Sequence, residues 1–155
     1  MQAPPVDWDA IDTVLLDMDG TLLDLRFDNW FWQEHVPTLW GRARGLSAEQ
    51  ALAQLAPRYE AARGRLEWYC IDHWSREFGM DIRAAKLEVR ERVAYIPGAE
   101  DFLRRLRALG KRRVLVTNAH PETLAIKDEH VDLVGHLDEV WSTHDFGLPK
   151  EDVAF

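Results

Sequence analysis

Residues 13–24 read TVLLDMDGTLLD. A short apolar run, Thr13 to Leu16, leads into two aspartates one residue apart, Asp17 and Asp19, and then into Gly20 and Thr21. Carboxylates held this close repel each other, so the pair adds nothing to stability unless a cation or a reaction uses both. The run before them has the continuous apolar character of a strand covered on both faces, as in a parallel sheet. In an open α/β sheet the ligand crevice lies beyond the carboxyl ends of the strands, where Asp17 falls.

Two further runs share this character. IDTVLLD (11–17), RRVLVTN (112–118) and DEVWST (138–143) each have an apolar, β-branched centre. HPETLAIKDEHV (120–131) reads as a crossover helix with Pro121 in its first turn. GAEDFLRRLRALGK (98–111) reads as a helix with Phe102, Leu103, Leu106 and Leu109 on one face and Gly110 at its end. Strands alternating with helices predict a doubly wound α/β fold, a Rossmann-like parallel sheet with helices on both faces.

Residues 27–93 carry almost no strand signal. SAEQALAQLAPRYEAARGRLEWYCIDHWSREFG is helical in composition, with Ser47 and Gln50 spaced as a capping box, and DIRAAKLEVRERV (81–93) predicts another helix. An insertion this long exceeds any ordinary strand-to-helix loop, which predicts an all-helical cap over residues 27–93 and a core formed by 1–26 and 94–155. Trp30, Trp32, Trp40, Trp68 and Trp74 lie in the insertion. Each fits the interior of a helical bundle, and as a group they leave room for one that stacks on a planar ligand such as a nucleobase.

Composition narrows the partners. Of 155 residues, 46% are hydrophobic and 30% charged, enough for a core without disulfides. The formal net charge of −8 argues against binding a nucleic-acid polymer or an anionic membrane. Cys70 is the only cysteine, which fits a reducing compartment. The N-terminal MQAPPVDWDA lacks the basic start and apolar run of a signal peptide, and no apolar stretch reaches membrane-spanning length. A cytoplasmic location is the expectation.

A carboxylate such as Asp17 can attack phosphorus to form an aspartyl-phosphate. A neighbouring acid such as Asp19 can protonate the leaving oxygen and then deprotonate the hydrolytic water. Gly20 permits a tight turn that exposes amide donors, and a divalent cation would relieve the repulsion between the pair. The full string DMDGTLLD after an apolar strand resembles motif I of the haloacid dehalogenase superfamily, whose phosphatases carry D-x-D-G-T. The resemblance implies that Thr117, in VTNAH, is the motif II hydroxyl that binds a phosphoryl oxygen, with Asn118 beside it. The alternative for both is capping of the following helix. It likewise implies that Lys150, in HDFGLPK, is the motif III lysine, and that Mg²⁺ is held by the Asp17 carboxylate and the Asp19 main-chain oxygen. His120 is as often structural at such a position and stays outside the catalytic set.

The likeness extends further. IDTVLLDMDGTLLDL, FDNWFWQEHVPTLWG, WYCIDHW, TNAHP and STHDFGLPKED are similar to bacterial GMP/IMP-type purine 5′-nucleotidases of this superfamily. The implied reaction is Mg²⁺-dependent hydrolysis of a purine nucleoside monophosphate, a small phosphomonoester. The core motifs alone suit equally a capped phosphatase acting on phosphoglycolate or a sugar phosphate. Dehalogenation is disfavoured, because a leaving halide has no use for Asp19. The family's fourth motif, aspartates after a further strand, is not found after KEDVAF. In the family's 5-4-1-2-3 strand order, its strand and the next would flank the first strand. Without them that strand becomes an open apolar edge, suited to a homo-oligomer. The alternative expectation is a non-catalytic fragment that needs a partner or further chain.

Overall fold

The computed structural model describes residues 6–155; Met1–Pro5, half of the N-terminal MQAPPVDWDA from which no signal peptide is expected, lie outside the described residues. β1 (Thr13–Leu16) is followed by a tight turn and then by helices. α1 (Arg26–Trp30) passes through a π-helical turn (Phe31–His35) into α2 (Val36–Arg42). α3 (Ala48–Ala62) opens on the expected capping box: Ser47 Oγ accepts from the Gln50 N–H and Gln50 Oε1 from the Ser47 N–H. α4 (Ile71–Phe78) ends at Gly79, which takes the left-handed conformation. α5 (Ile82–Glu88) is shorter than the helix expected over 81–93, because the chain tightens into a 3₁₀ turn (Arg90–Arg92) that delivers Val93 to the core under the sheet.

α6 (Ala99–Ala108) buries Leu103 and Leu106, but Leu109, expected on the same face, is exposed. The helix stops one residue before it, so the helical spacing no longer governs where Leu109 points. Gly110 follows at a φ of +67°. β2 (Arg112–Thr117), α7 (Pro121–Val131) and β3 (Glu139–Ser142) complete the described regular elements. The strands form one parallel sheet in the order β1-β2-β3, with Leu16 beside Leu115 and Thr117 beside Ser142. Each strand is slightly shorter than its apolar run, so Asp17, Asn118 and Thr143 lie just past the strand ends. Among the described residues β1 and β3 are the two edges of the sheet, and Leu15 on β1 is 70% exposed.

Apolar burial falls into two clusters. One joins the sheet to α6 and α7 through Leu16, Leu103, Leu115 and Leu124, and takes in Phe27. The other fills the helical block with Phe31, Trp40, Leu55, Trp74 and Phe78, against which Trp30, Trp32 and Trp68 pack half-buried. The chain leaves and re-enters the sheet layer at one place. Asp24 N–H donates to the Ala94 carbonyl and Ile96 N–H to the Leu22 carbonyl, both at 2.9 Å.

Candidate active site

The turn after β1 is closed by its own amides. The N–H groups of Thr21, Leu22 and Leu23 converge on the Met18 carbonyl, and Gly20 N–H donates to the Leu23 carbonyl at 2.8 Å. Gly20 therefore spends its amide on the turn and does not offer it to a ligand, contrary to the sequence expectation. What the turn does require is its φ of +80°, and an added Cβ would lie 2.9 Å from Leu25 Cδ1. The same turn fixes Asp17 at the strand end and Asp19 one step away.

Lys150 Nζ lies 2.7 Å from Asp17 Oδ1 and donates to the Val116 carbonyl at 3.1 Å, so the two residues meet at the carboxyl ends of β1 and β2. Asn118 orients this lysine. Its Oδ1 accepts the Lys150 N–H at 2.8 Å and its Nδ2 donates to Glu151 Oε2 at 2.9 Å. Tyr69 OH reaches from the helical block to the other Glu151 oxygen at 2.6 Å, and burial pushes the phenol up to about 12. Thr117 is buried at the end of β2. Its Oγ1 accepts the Ala119 N–H at 3.1 Å, which leaves the hydroxyl proton available to a ligand. The following helix is capped by His120, not by Thr117 or Asn118.

Asp19 belongs to a chain of charges that the motifs did not announce. Lys127 Nζ, on α7, lies 2.6 Å from Asp19 Oδ1 and 2.5 Å from Asp28 Oδ2. Lys86 Nζ, on α5, lies 3.1 Å from Asp28 Oδ1. Both lysines are 1% exposed. Burial raises Asp19 above its ordinary value, and Lys127 only partly opposes it. Asp28 is also penalised by burial, yet the two lysines overcome this and hold it down near about 2. Burial lowers Lys86, whereas the carboxylates on either side outweigh burial at Lys127 and raise it. Lys127 stands three residues after Leu124 and four after Thr123, both buried, and this spacing was the available signal that it faces inward.

A cavity of about 530 Å³ opens on Asp19 between the helical block and the sheet. Trp32, Tyr59, Trp68 and Trp74 line it, with Lys86 on its floor. Trp74 is thus both a packed residue of the bundle and part of a ligand-sized wall, while Trp40 is buried away from it. Asp17, Thr117 and Lys150 are not on its lining. The arrangement pairs a carboxylate–lysine site with an aromatic chamber, and Asp19 alone among the five expected site residues lines the chamber.

Residues 14–149 match the family described as haloacid dehalogenase-like hydrolase. The chain is 49% identical over 147 residues to the GMP/IMP nucleotidases YrfG of Escherichia coli (strain K12) and Shigella flexneri. The alignment covers 95% of this chain, which spans 66% of the length of those relatives. Among solved structures, a HAD phosphatase from Thermococcus onnurineus superposes with a TM-score of 0.74 at 22% identity, over 87% of this chain and 63% of that one. The L-2-haloacid dehalogenase from Xanthobacter autotrophicus follows at 0.53 and 18%, over 90% of this chain and 60% of that one. At these identities the two structures speak to the fold.

Proposed function

Because the chain belongs to the haloacid dehalogenase-like hydrolase family, we propose that it hydrolyses purine nucleoside 5′-monophosphates of the GMP/IMP kind through an aspartyl-phosphate. The observation that carries this reading is the aromatic cavity opening on Asp19, in a chain 49% identical over 147 residues to nucleotidases bearing those substrates in their names. Aromatic walls suit a planar base, whereas a sugar phosphate would gain little from them.

In this mechanism Asp17 Oδ2, the oxygen not bonded to Lys150, attacks phosphorus, and the ester oxygen leaves. Lys150 neutralises charge on the carboxylate and on the phosphoryl group as it moves. Thr117 donates its hydroxyl proton to a phosphoryl oxygen. Asp19, raised by burial so that its protonated form is accessible, gives its proton to the leaving oxygen and then takes one from the water that cleaves the aspartyl-phosphate. Asn118 acts through Lys150 and positions it.

The donors near Asp17 are hard oxygens, suited to Mg²⁺: the Asp17 carboxylate and the Asp19 carbonyl, which the turn's own amides leave alone in favour of Met18 and Leu23. The Asp19 carboxylate is committed to Lys127, which leaves the Asp17 carboxylate as the side-chain ligand that this turn would offer the ion. When bound, Mg²⁺ screens the phosphate charge from its attacker. A reducing, cytoplasmic setting suits the free Cys70. No helix of the described residues is long and apolar enough to cross a membrane.

The test is phosphate release from GMP, IMP, phosphoglycolate and hexose phosphates by the protein with Mg²⁺. GMP and IMP should be cleaved fastest, and faster cleavage of phosphoglycolate or a hexose phosphate overturns the substrate assignment. Asp17→Asn should abolish turnover and the acid-stable protein-bound phosphate trapped from labelled substrate. Substantial activity in that variant sinks the covalent route.

A further inference from the structure

Away from the Asp17–Lys150 pair, one cluster of donor atoms has no part in the proposed reaction. Cys70 caps α4, its Sγ accepting the His73 N–H at 3.4 Å. His120 and His144 follow the ends of β2 and β3, and their rings pack edge to face with centroids 4.9 Å apart. One ligand atom from each of Cys70, His120 and His144 lies within 4.8 Å of the others, and all three residues are partly buried. The cysteine comes from the helical block and both histidines from the sheet side. A second cleft, of about 360 Å³, reaches Cys70 and His144.

His144 Nε2 is buried and has no hydrogen-bond partner among the described residues. Native interiors seldom leave such an atom unpaired without an ion, a water or a chemical role. Burial, and then the neighbouring His120, disfavour the charged form of the ring. His120 is oriented from both sides: Nδ1 accepts the Glu122 N–H at 3.2 Å and Nε2 lies 3.5 Å from Asp72 Oδ2. An ion bound at Nδ1 would displace the Glu122 N–H, and Nε2, then carrying the ring proton, would donate to the Asp72 carboxylate. A carboxylate or main-chain partner behind a ligating imidazole is the usual support of such a site.

We propose that Cys70, His120 and His144 form a Zn²⁺ site bridging the helical block and the sheet. One thiolate with two imidazoles is a donor set for zinc and a poor one for Mg²⁺, which prefers oxygen. Zinc's bond lengths place its ligand atoms ~3.5 Å apart, so atoms that lie within 4.8 Å of one another need to close by about 1.3 Å at most. Binding takes the proton from the Cys70 thiol and releases it to solvent, and water fills the fourth position. The ion would tie the two layers together beside Asn118 and Lys150. The site stands whether or not the nucleotidase reading holds.

The experiment is titration of the protein with Co²⁺, a spectroscopic stand-in for zinc, in excess Mg²⁺ to fill the oxygen site at Asp17. One equivalent should produce a thiolate-to-cobalt charge-transfer band, which Zn²⁺ then abolishes, and Zn²⁺ should shield Cys70 from a thiol reagent. Cys70→Ser, which keeps a capping oxygen at α4, should remove the band, and His144→Ala should weaken Zn²⁺ binding by about tenfold or more. Absence of the band from the wild-type protein overturns the proposal regardless of how the variants fold. Zn²⁺ affinity unchanged in Cys70→Ser overturns it equally.

Discussion

At the scale of single residues, Asp19 is governed by Lys127 more than by Asp17. In the proposed reaction Asp19 is the proton carrier, which must give and take one proton per turnover, and its setting decides the pH at which both are possible. Burial raises Asp19 and Lys127 restrains it, so Lys127→Met should raise it further. The pH–rate profile should then move to higher pH, and kcat should fall by about tenfold or more with KM little changed. Steady-state kinetics across pH check this, and a profile that does not move would show that Lys127 only supports the fold. Gly20→Ala tests the turn: the left-handed backbone and the contact with Leu25 should destabilise the protein by ~1–3 kcal/mol in urea unfolding. The meeting of Asp17 with Lys150 was foreseeable, because a short string picked out the first and a local context the second. Lys127 was not, since a lysine in a crossover helix ordinarily reaches water, and only its spacing from Leu124 betrayed it.

At the scale of elements, Asp28 joins α1 to α5 and α7 by accepting from Lys86 and Lys127. Removing its charge leaves Lys86 buried without a counter-ion and Lys127 with Asp19 alone. Asp28→Asn should therefore destabilise the protein by ~3–5 kcal/mol at pH 7. Asp28 has a depressed pKa, so its contribution is complete above the ordinary carboxylate value of 3.8 and is lost as pH falls toward about 2. The gap between wild type and variant, measured by urea unfolding at successive pH values, should shrink across that window. A gap independent of pH would rule out the charge as its cause. The elements themselves were mostly legible: apolar runs gave the strands, and the Ser47–Gln50 spacing gave the start of α3. What escaped was where helices yield to the sheet's demands, as at Val93 and Leu109, because burial of distant partners decides those ends.

For the whole molecule, the consequential surface is the open side of β1. Among the described residues the strand that leads to Asp17 has a neighbour, β2, on one side, and Leu15 stands 70% exposed there. An unpaired apolar edge recruits another strand. The average mass by light scattering should rise with concentration, and Leu15→Lys should abolish the rise while leaving circular dichroism unchanged; a monomer at every concentration excludes edge pairing. The parallel order of the sheet followed from the alternation of strands and helices, whereas the chamber beside Asp19 did not, since it is built by tryptophans from separate helices that only packing brings together. One last property lies in the two hydrogen bonds between Leu22–Asp24 and Ala94–Ile96. They make the departure and return of the helical block a single doorway. For the sheet, everything beyond that doorway is a closed loop whose length barely alters its closure entropy. The block can therefore lengthen, shrink or be exchanged for another without disturbing the register of the strands, and Asp17 stays where it is.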